Sequence, residues 1–300
     1  MRKILIITGL TASGKSGLAV KLARKFNGEI ISADSVQIYR GLNIGSAKED
    51  ERVMNEIPHY LINIKNFDET YNVGEFLTDC KHAIDTIISR NKLPIIVGGT
   101  AMYIKALLEG FSLGDTTADL EFRKKYQDMA EKEGNLAVWN ELNDINAEMA
   151  KSVHPNNLKR VIRYLEIATH DQTLTKQESI LKDYNVLCIG VVADRELIYS
   201  RINTRVDEML EMGLFEEIEE LINQGAKREM QAFNSIGYKE WFDFLEGKID
   251  ISQVIDLIKQ HTRNYCKRQL TFLKTIKNIT LCDVRTAEKI AVEFIEDKND

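Results

Sequence analysis

The sequence predicts an α/β fold, a parallel sheet flanked by helices, interrupted by an all-helical insertion domain. Three observations carry this. Short Ile-rich runs alternate with amphipathic stretches over the first hundred residues. A glycine-rich turn ending in Lys15-Ser16 joins the first such run to the first amphipathic stretch. Between Phe111 and Lys182 the strand signal disappears, leaving polar helical stretches such as 121–133 and 157–169.

Taken in order, Lys3–Thr8 is a short Ile-rich run with the pattern of a fully buried parallel strand. The N-terminus begins like a signal peptide, but its apolar stretch stops after six residues with no cleavage site, which predicts a buried strand in a cytoplasmic protein. From Lys15 the spacing of Leu18, Ala19, Leu22, Ala23 and Phe26 predicts a helix with one apolar face. Glu29–Ser32 reads as a second strand, Val73–Ser89 as a helix, and Pro94–Val97 as a third strand stopping at Gly98-Gly99. Val186–Ala193 is a fourth, and after Arg195 the chain is mostly helical, with a late strand candidate at Asn278–Leu281. The domain boundaries that follow are 1–112 for the first part of the core, 113–183 for the insertion, and 184–300 for the rest of the core.

Composition agrees. The 300 residues hold three prolines, where average usage would give roughly fifteen, so long uninterrupted helices are expected. No apolar run approaches the ~20 residues that span a bilayer. Cys80, Cys188, Cys266 and Cys282 lie far apart without metal-ligand spacing and read as reduced thiols.

The net charge of −6 argues against a polyanionic partner only as an average. The nineteen residues from Lys259 to Lys277 carry +6 without one acid, so the remainder carries −12. Helically wrapped, Gln260, Arg263, Lys267, Thr271 and Lys274 share one face, with Ile258, Tyr265, Cys266, Phe272, Leu273 and Ile276 opposite.

Gly9-Leu10-Thr11-Ala12-Ser13-Gly14-Lys15-Ser16 fits GxxxxGK[ST] between a strand and a helix, which makes the core P-loop NTPase-like. The glycines let successive N–H groups converge on phosphate oxygens at a helix N-terminus. Lys15 adds a cation, and the Ser16 hydroxyl can ligate Mg²⁺. This motif of ATP- and other nucleotide-binding proteins shows only that a di- or triphosphate binds. No NKxD-type guanine reader is present, which argues against a GTPase. Asp34 follows the second strand at the sheet edge where ligands bind, although by position it reads equally well as a turn or N-cap residue. The Gly98-Gly99-Thr100 turn falls at the same edge.

These residues resemble the bacterial-type tRNA dimethylallyltransferases (tRNA isopentenyltransferases). The blocks are GLTASGKS at 9–16, ISADSVQIYRGLNIGSAK at 31–48, PHYLINI at 58–64, PIIVGGTAMYIKALLEG at 94–110, HPNNLKRVIRYLE at 154–166, NSIGYKE at 234–240 and TRNYCKRQLTF at 262–272. The resemblance implies transfer of a dimethylallyl group from dimethylallyl diphosphate to the exocyclic amine of the adenosine immediately 3′ of the anticodon. It assigns catalysis to Asp34 as general base, Thr100 as an orienter of the adenine, and Lys15. Gly9, Thr11, Ala12, Ser13, Gly14, Lys15 and Ser16 would hold the leaving diphosphate, with Mg²⁺ on Ser16. Asp34, Ser35, Val36, Gln37 and Thr100 would meet the flipped-out base. Arg123 and the Lys159, Arg160, Val161, Ile162, Arg163 segment would bind the anticodon stem-loop from the insertion. A basic helix over 251–277 would add Arg263, Lys267, Arg268, Gln269 and Lys274.

Departures from the family pattern are few. Leu10 stands for proline, Ser16 for threonine, Phe272 for tryptophan and Tyr164 for alanine, and Asn234 occupies a position that is arginine in some members. A monomeric cytoplasmic enzyme working on tRNA and dimethylallyl diphosphate, away from membranes, is the expectation. An adenylate prenyltransferase, a P-loop small-molecule kinase and a non-catalytic RNA-binding module are the alternatives.

Overall fold

A computed structural model describes residues 1–110, 112–113, 119–169, 175–176 and 178–297. The chain divides into two compact units, one formed by 1–109 with 179–300 and the other by 110–178.

The larger unit opens with β1 (Lys3–Gly9), whose residues Ile4, Leu5, Ile6 and Ile7 are fully buried. Then come α1 (Lys15–Phe26), β2 (Gly28–Ser32), α2 (Glu51–Glu56), β3 (His59–Tyr60), α3 (Val73–Ser89), β4 (Leu93–Gly98) and α4 (Ala101–Glu109). The smaller unit holds β5 (Ser112–Leu113), α5 (Leu120–Glu133), α6 (Asn135–Ile145), α7 (Ala147–Lys151), α8 (Leu158–Thr169) and β6 (Thr175–Lys176). The chain returns to the larger unit through β7 (Asn185–Val191), α9 (Arg195–Glu211), α10 (Leu214–Asn223), a 3₁₀ turn (Gln231–Asn234), α11 (Trp241–Leu245), α12 (Ile251–Leu273), β8 (Ile279–Cys282) and α13 (Val284–Glu296).

The sheet runs β3-β2-β4-β1-β7-β8, and every pairing is parallel. Burial on both faces explains why its central strands are nearly continuous in Ile, Leu and Val. The α1 stripe packs on it as its spacing predicts, with Leu18, Ala19, Leu22 and Ala23 buried. Burying each of those leucines contributes on the order of 2 kcal/mol. α3 starts at a reciprocal capping box between Asn72 and Glu75, and α12 at another between Asp250 and Gln253.

Parallel order places the C-terminal ends of β1, β2 and β4 side by side. Two glycines permit the backbones to approach there. A Cβ on Gly9 would lie 2.2 Å from the Val191 carbonyl oxygen, and one on Gly98 2.1 Å from that of Ala33.

Two expectations need correction. The edge strand β3 escapes the sequence pattern because two residues cannot show an alternation; register pairs Ile30 with His59 and Ile31 with Tyr60. The insertion is not all-helical, since β5 and β6 form a two-stranded antiparallel ribbon at its two ends, again too short to leave a pattern. Its four helices enclose their own core, built on Tyr126, Val138, Leu142, Val161 and Leu165.

Candidate active site

The Gly9–Ser16 loop closes β1 and opens α1. Gly14 takes φ +90° at the N-cap, and the α1 N-terminus follows immediately. Within the loop, the Thr11 N–H donates to Gln269 Oε1 at 2.9 Å, and Lys15 Nζ donates to the Leu10 carbonyl at 3.2 Å. The buried Ser13 Oγ has no hydrogen-bond partner among the described residues, an unusual expense for a buried polar atom. Burial, with Arg205 nearby, pushes Lys15 down to about 8.

Across the sheet edge stands Asp34. Its Oδ1 accepts from the backbone N–H of Val36 at 2.9 Å and of Gln37 at 3.3 Å, so the turn-capping reading of this residue is correct as far as that oxygen goes. No described hydrogen bond engages Oδ2. Thr100 lies alongside: its Oγ1 accepts the Ser35 N–H at 3.0 Å and donates to Ser35 Oγ at 3.3 Å. Gln37 faces the loop that follows, with Nε2 donating to the carbonyls of Ser46 and Ala47 and Oε1 accepting from Ser32.

Three cavities adjoin along this edge. A narrow one of about 80 Å³ contains Lys15, Ser16, Asp34 and Glu49 in its wall. A second, of about 360 Å³, is lined by Asp34, Ser35, Thr100, Tyr265 and Arg268. A third, of about 530 Å³, opens over Ser13, Gly14, Lys15 and Arg201. Arg205 lines all three. It is half-buried, burial pushes it below the ordinary arginine range, and Glu49 and Asp34 oppose that shift. Lys15 and Arg205 thus form a desolvated pair of like charges on one cavity, an environment that a polyanion relieves.

Arg205 is the site residue that motif reading missed. The signal was present. Ile198, Ile202, Val206 and Met209 are the buried stripe of α9, and Arg205 falls inside it at the spacing of an apolar residue.

The inner face of α12 forms the roof. Gln269 Nε2 and the Tyr265 hydroxyl both donate to the Gly99 carbonyl, at 2.9 and 3.0 Å, while Gln269 Oε1 holds Thr11. Gln269 is 3% exposed, which corrects its placement on the RNA-facing surface: its amide is consumed in joining the Gly9–Ser16 loop to the β4–α4 turn. Lys267, Arg268 and Lys274 are exposed, with Arg268 stacked 5.9 Å over Tyr265. Arg263 is half-buried and donates to Asn203 at 2.8 Å. Asn234, at the mouth of the second cavity, donates to the Met230 carbonyl.

In the smaller unit, Lys159 and Arg160 are exposed, the latter bonded to the Tyr164 hydroxyl. Arg123 and Arg163 both meet the fully buried Glu166 carboxylate, at 2.8 and 2.6 Å, which holds that carboxyl below its usual range against the opposing effect of burial. Val161 and Ile162 are core residues of this unit, so their side chains are corrected from RNA contacts to packing, as the apolar stripe of an amphipathic helix requires.

Among the described residues, no helix is long and apolar enough to cross a membrane, no cluster of His, Cys, Asp and Glu suffices to hold a metal, and the four cysteines are free thiols.

Comparison with known proteins adds five findings. A family model described as IPP transferase matches residues 37–276. The tRNA dimethylallyltransferase of Acetivibrio thermocellus is 42% identical over 284 residues, covering 93% of this chain and 91% of that protein. That of Bacillus anthracis is 42% identical over 304 residues, with 99% and 96% covered. Among solved structures, the full-length tRNA isopentenylpyrophosphate transferase of Bacillus halodurans superposes with a TM-score of 0.73 at 38% identity, covering 98% and 96% of the two chains. A eukaryotic dimethylallyltransferase acting on tRNA superposes at 0.77 with 29% identity, covering 98% of this chain and 80% of that one.

Proposed function

This chain belongs to the IPP transferase family, and from that premise we propose that it transfers a dimethylallyl group from dimethylallyl diphosphate to the exocyclic amine of the adenosine immediately 3′ of the tRNA anticodon. The observation that carries the proposal is that two cations, Lys15 and Arg205, and the Asp34 carboxylate line one cavity.

In the reaction a bond forms between the adenine amine and the allylic carbon, and the bond from that carbon to the diphosphate oxygen breaks. The electron pair leaves with the diphosphate. Charge growing there is met by the N–H groups of the Gly9–Ser16 loop, the Lys15 ammonium and the Arg205 guanidinium. The amine, weakened by delocalisation into the ring, loses its proton to Asp34. Oδ1 is engaged by two backbone N–H groups, so Oδ2 is the accepting atom and its direction is fixed in advance. Thr100, locked against Ser35, borders the place where the base enters.

Mg²⁺ suits the donor set. Ser16 and Glu49 offer hard oxygens beside Lys15, without a full protein cage, and such a site suits an ion whose remaining ligands are phosphate and water. When bound, the ion would neutralise leaving-group charge. The exposed Lys267, Arg268 and Lys274 of α12, and Lys159 and Arg160 of the insertion, suit tRNA phosphates and favour a tRNA acceptor over a free nucleotide.

The test supplies Mg²⁺, dimethylallyl diphosphate and unmodified tRNA without ATP, followed by mass analysis of the nucleosides. Dimethylallyladenosine is the expected product. Its absence from a folded preparation overturns the reading. Transfer to AMP in place of tRNA would indicate an adenylate prenyltransferase, and ATP-dependent phosphorylation of small acceptors a kinase.

A further inference from the structure

The loop 41–48 between β2 and α2 forms part of the wall of the second cavity through Gly45, Ser46 and Ala47, and borders the first through Ser46 and Ala47, yet no strand or helix of its own supports it. Gln37 and Lys48 tie down its far end, and one carboxylate gathers its leading amides. Glu217, in the first turns of α10, accepts the backbone N–H groups of Asn43 at 3.0 Å, Ile44 at 2.7 Å and Gly45 at 3.2 Å. The same carboxylate accepts from the hydroxyl of Tyr238 at 2.7 Å, and Tyr238 is fully buried. Three successive amides converging on one anion form a nest, the arrangement that proteins also use to bind phosphate. Here the anion is the chain's own.

The contact is close as well as polar. A Cβ on Gly45 would lie 2.6 Å from the Tyr238 ring, so only glycine lets the loop press this near. From the loop the geometry continues inward. The Ser46 and Ala47 carbonyls accept from Gln37, and the Gln37 N–H caps Asp34. None of these links reaches the Gly9–Ser16 loop, which is held instead through Gln269.

We propose that Glu217 is a positioning residue for the acceptor, holding the wall against which the base settles through a network that makes no bond to the Gly9–Ser16 loop. This assignment rests on the prenyl-transfer reading above.

The experiment uses the full chain carrying Glu217→Gln, which keeps the shape of the side chain but replaces one accepting oxygen by a donor facing N–H groups. Hydrogen exchange of the amides in 41–48 is expected to accelerate at least tenfold, with exchange across 9–16 unchanged. The affinity for inorganic diphosphate, read by calorimetry, should stay within twofold, whereas kcat/KM for tRNA should fall at least tenfold. A uniform rise in exchange over the whole chain, or an equal loss of diphosphate binding, would overturn the proposal in favour of a general structural role. Exchange and turnover both within twofold of the unsubstituted chain would overturn it outright. Tyr238→Phe, which removes one of the four bonds, should move the same readouts in the same direction by less. Exchange and diphosphate binding do not depend on turnover. Failure of the transfer assay itself by the unsubstituted protein would therefore count against the prenyl-transfer reading, and exchange would still judge the clamp.

Discussion

The two walls proposed for the catalytic cavity are built by different means. The wall proposed to hold the anion is one contiguous stretch, Gly9–Ser16, in which the backbone would supply most of the binding groups and only Lys15 and Ser16 would need particular side chains. The acceptor wall is composite. Asp34 follows β2, Thr100 follows β4 and Tyr265 comes from α12, while Arg205 reaches in from α9 to border both walls. A contiguous wall keeps its shape through local geometry, whereas a composite one depends on the register of elements far apart in the chain. The first should tolerate changes at a distance, and the second should register them.

The comparison is broken most sharply at Asp34. Replacing it by alanine should reduce turnover about a thousandfold, within the range of a lost general base. tRNA affinity, measured by filter binding, should stay within a few-fold; if it collapses too, the cap on Val36 and Gln37 matters more than the proton. Next is Arg205, the residue common to all three cavities. Arg205→Ala should weaken inorganic diphosphate binding by about a hundredfold, the scale of one or two charge-assisted hydrogen bonds. Calorimetry showing diphosphate binding intact would move Arg205 to the acceptor wall alone.

Acidity sharpens the comparison further. On the proposed reading diphosphate binds the charged form of Lys15, whose pKa of about 8 in the free protein should rise when the anion binds. Affinity should therefore be flat below pH 8 relative to a Lys15→Arg variant, and fall by up to tenfold per pH unit above it. Parallel profiles for the two proteins would show that Lys15 does not titrate in that window. The smallest effect is expected outside both walls. Neutralising Lys267 and Lys274 together should weaken tRNA binding several-fold and flatten its dependence on log salt by about 1.5, the contribution of two phosphate contacts. An unchanged slope would remove that face of α12 from the interface.

This difference in construction also explains what could be read from the chain beforehand. β1, the glycine-rich turn and α1 stand where their patterns put them, because a buried run, a motif and an apolar stripe are all local properties. β8, expected at Asn278–Leu281, lies at Ile279–Cys282 for the same reason. β3 and the β5–β6 ribbon left no pattern because each strand has two residues. Gln269 shows the other limit. Its neighbours Lys267 and Arg268 are exposed, and the family resemblance grouped it with them, but helical phase turns it inward beneath Gly99. Glu217 was one acid among several on α10, and only the tertiary approach of Asn43, Ile44 and Gly45 distinguishes it.

That inward amide has a further consequence. Gln269 bonds the loop proposed to hold the leaving group through one atom and the turn bearing Thr100 through the other. On the proposed reading, this side chain would add a second tie, beside the pairing of Thr8 with Gly98, to the spacing between electrophile and nucleophile. Reactants held in such a frame behave as though present at effective concentrations of about 10⁵ M or more, provided that the reacting atoms stay within roughly half an ångström of their proper spacing. In those terms Gln269 would brace the spacing between the two substrates.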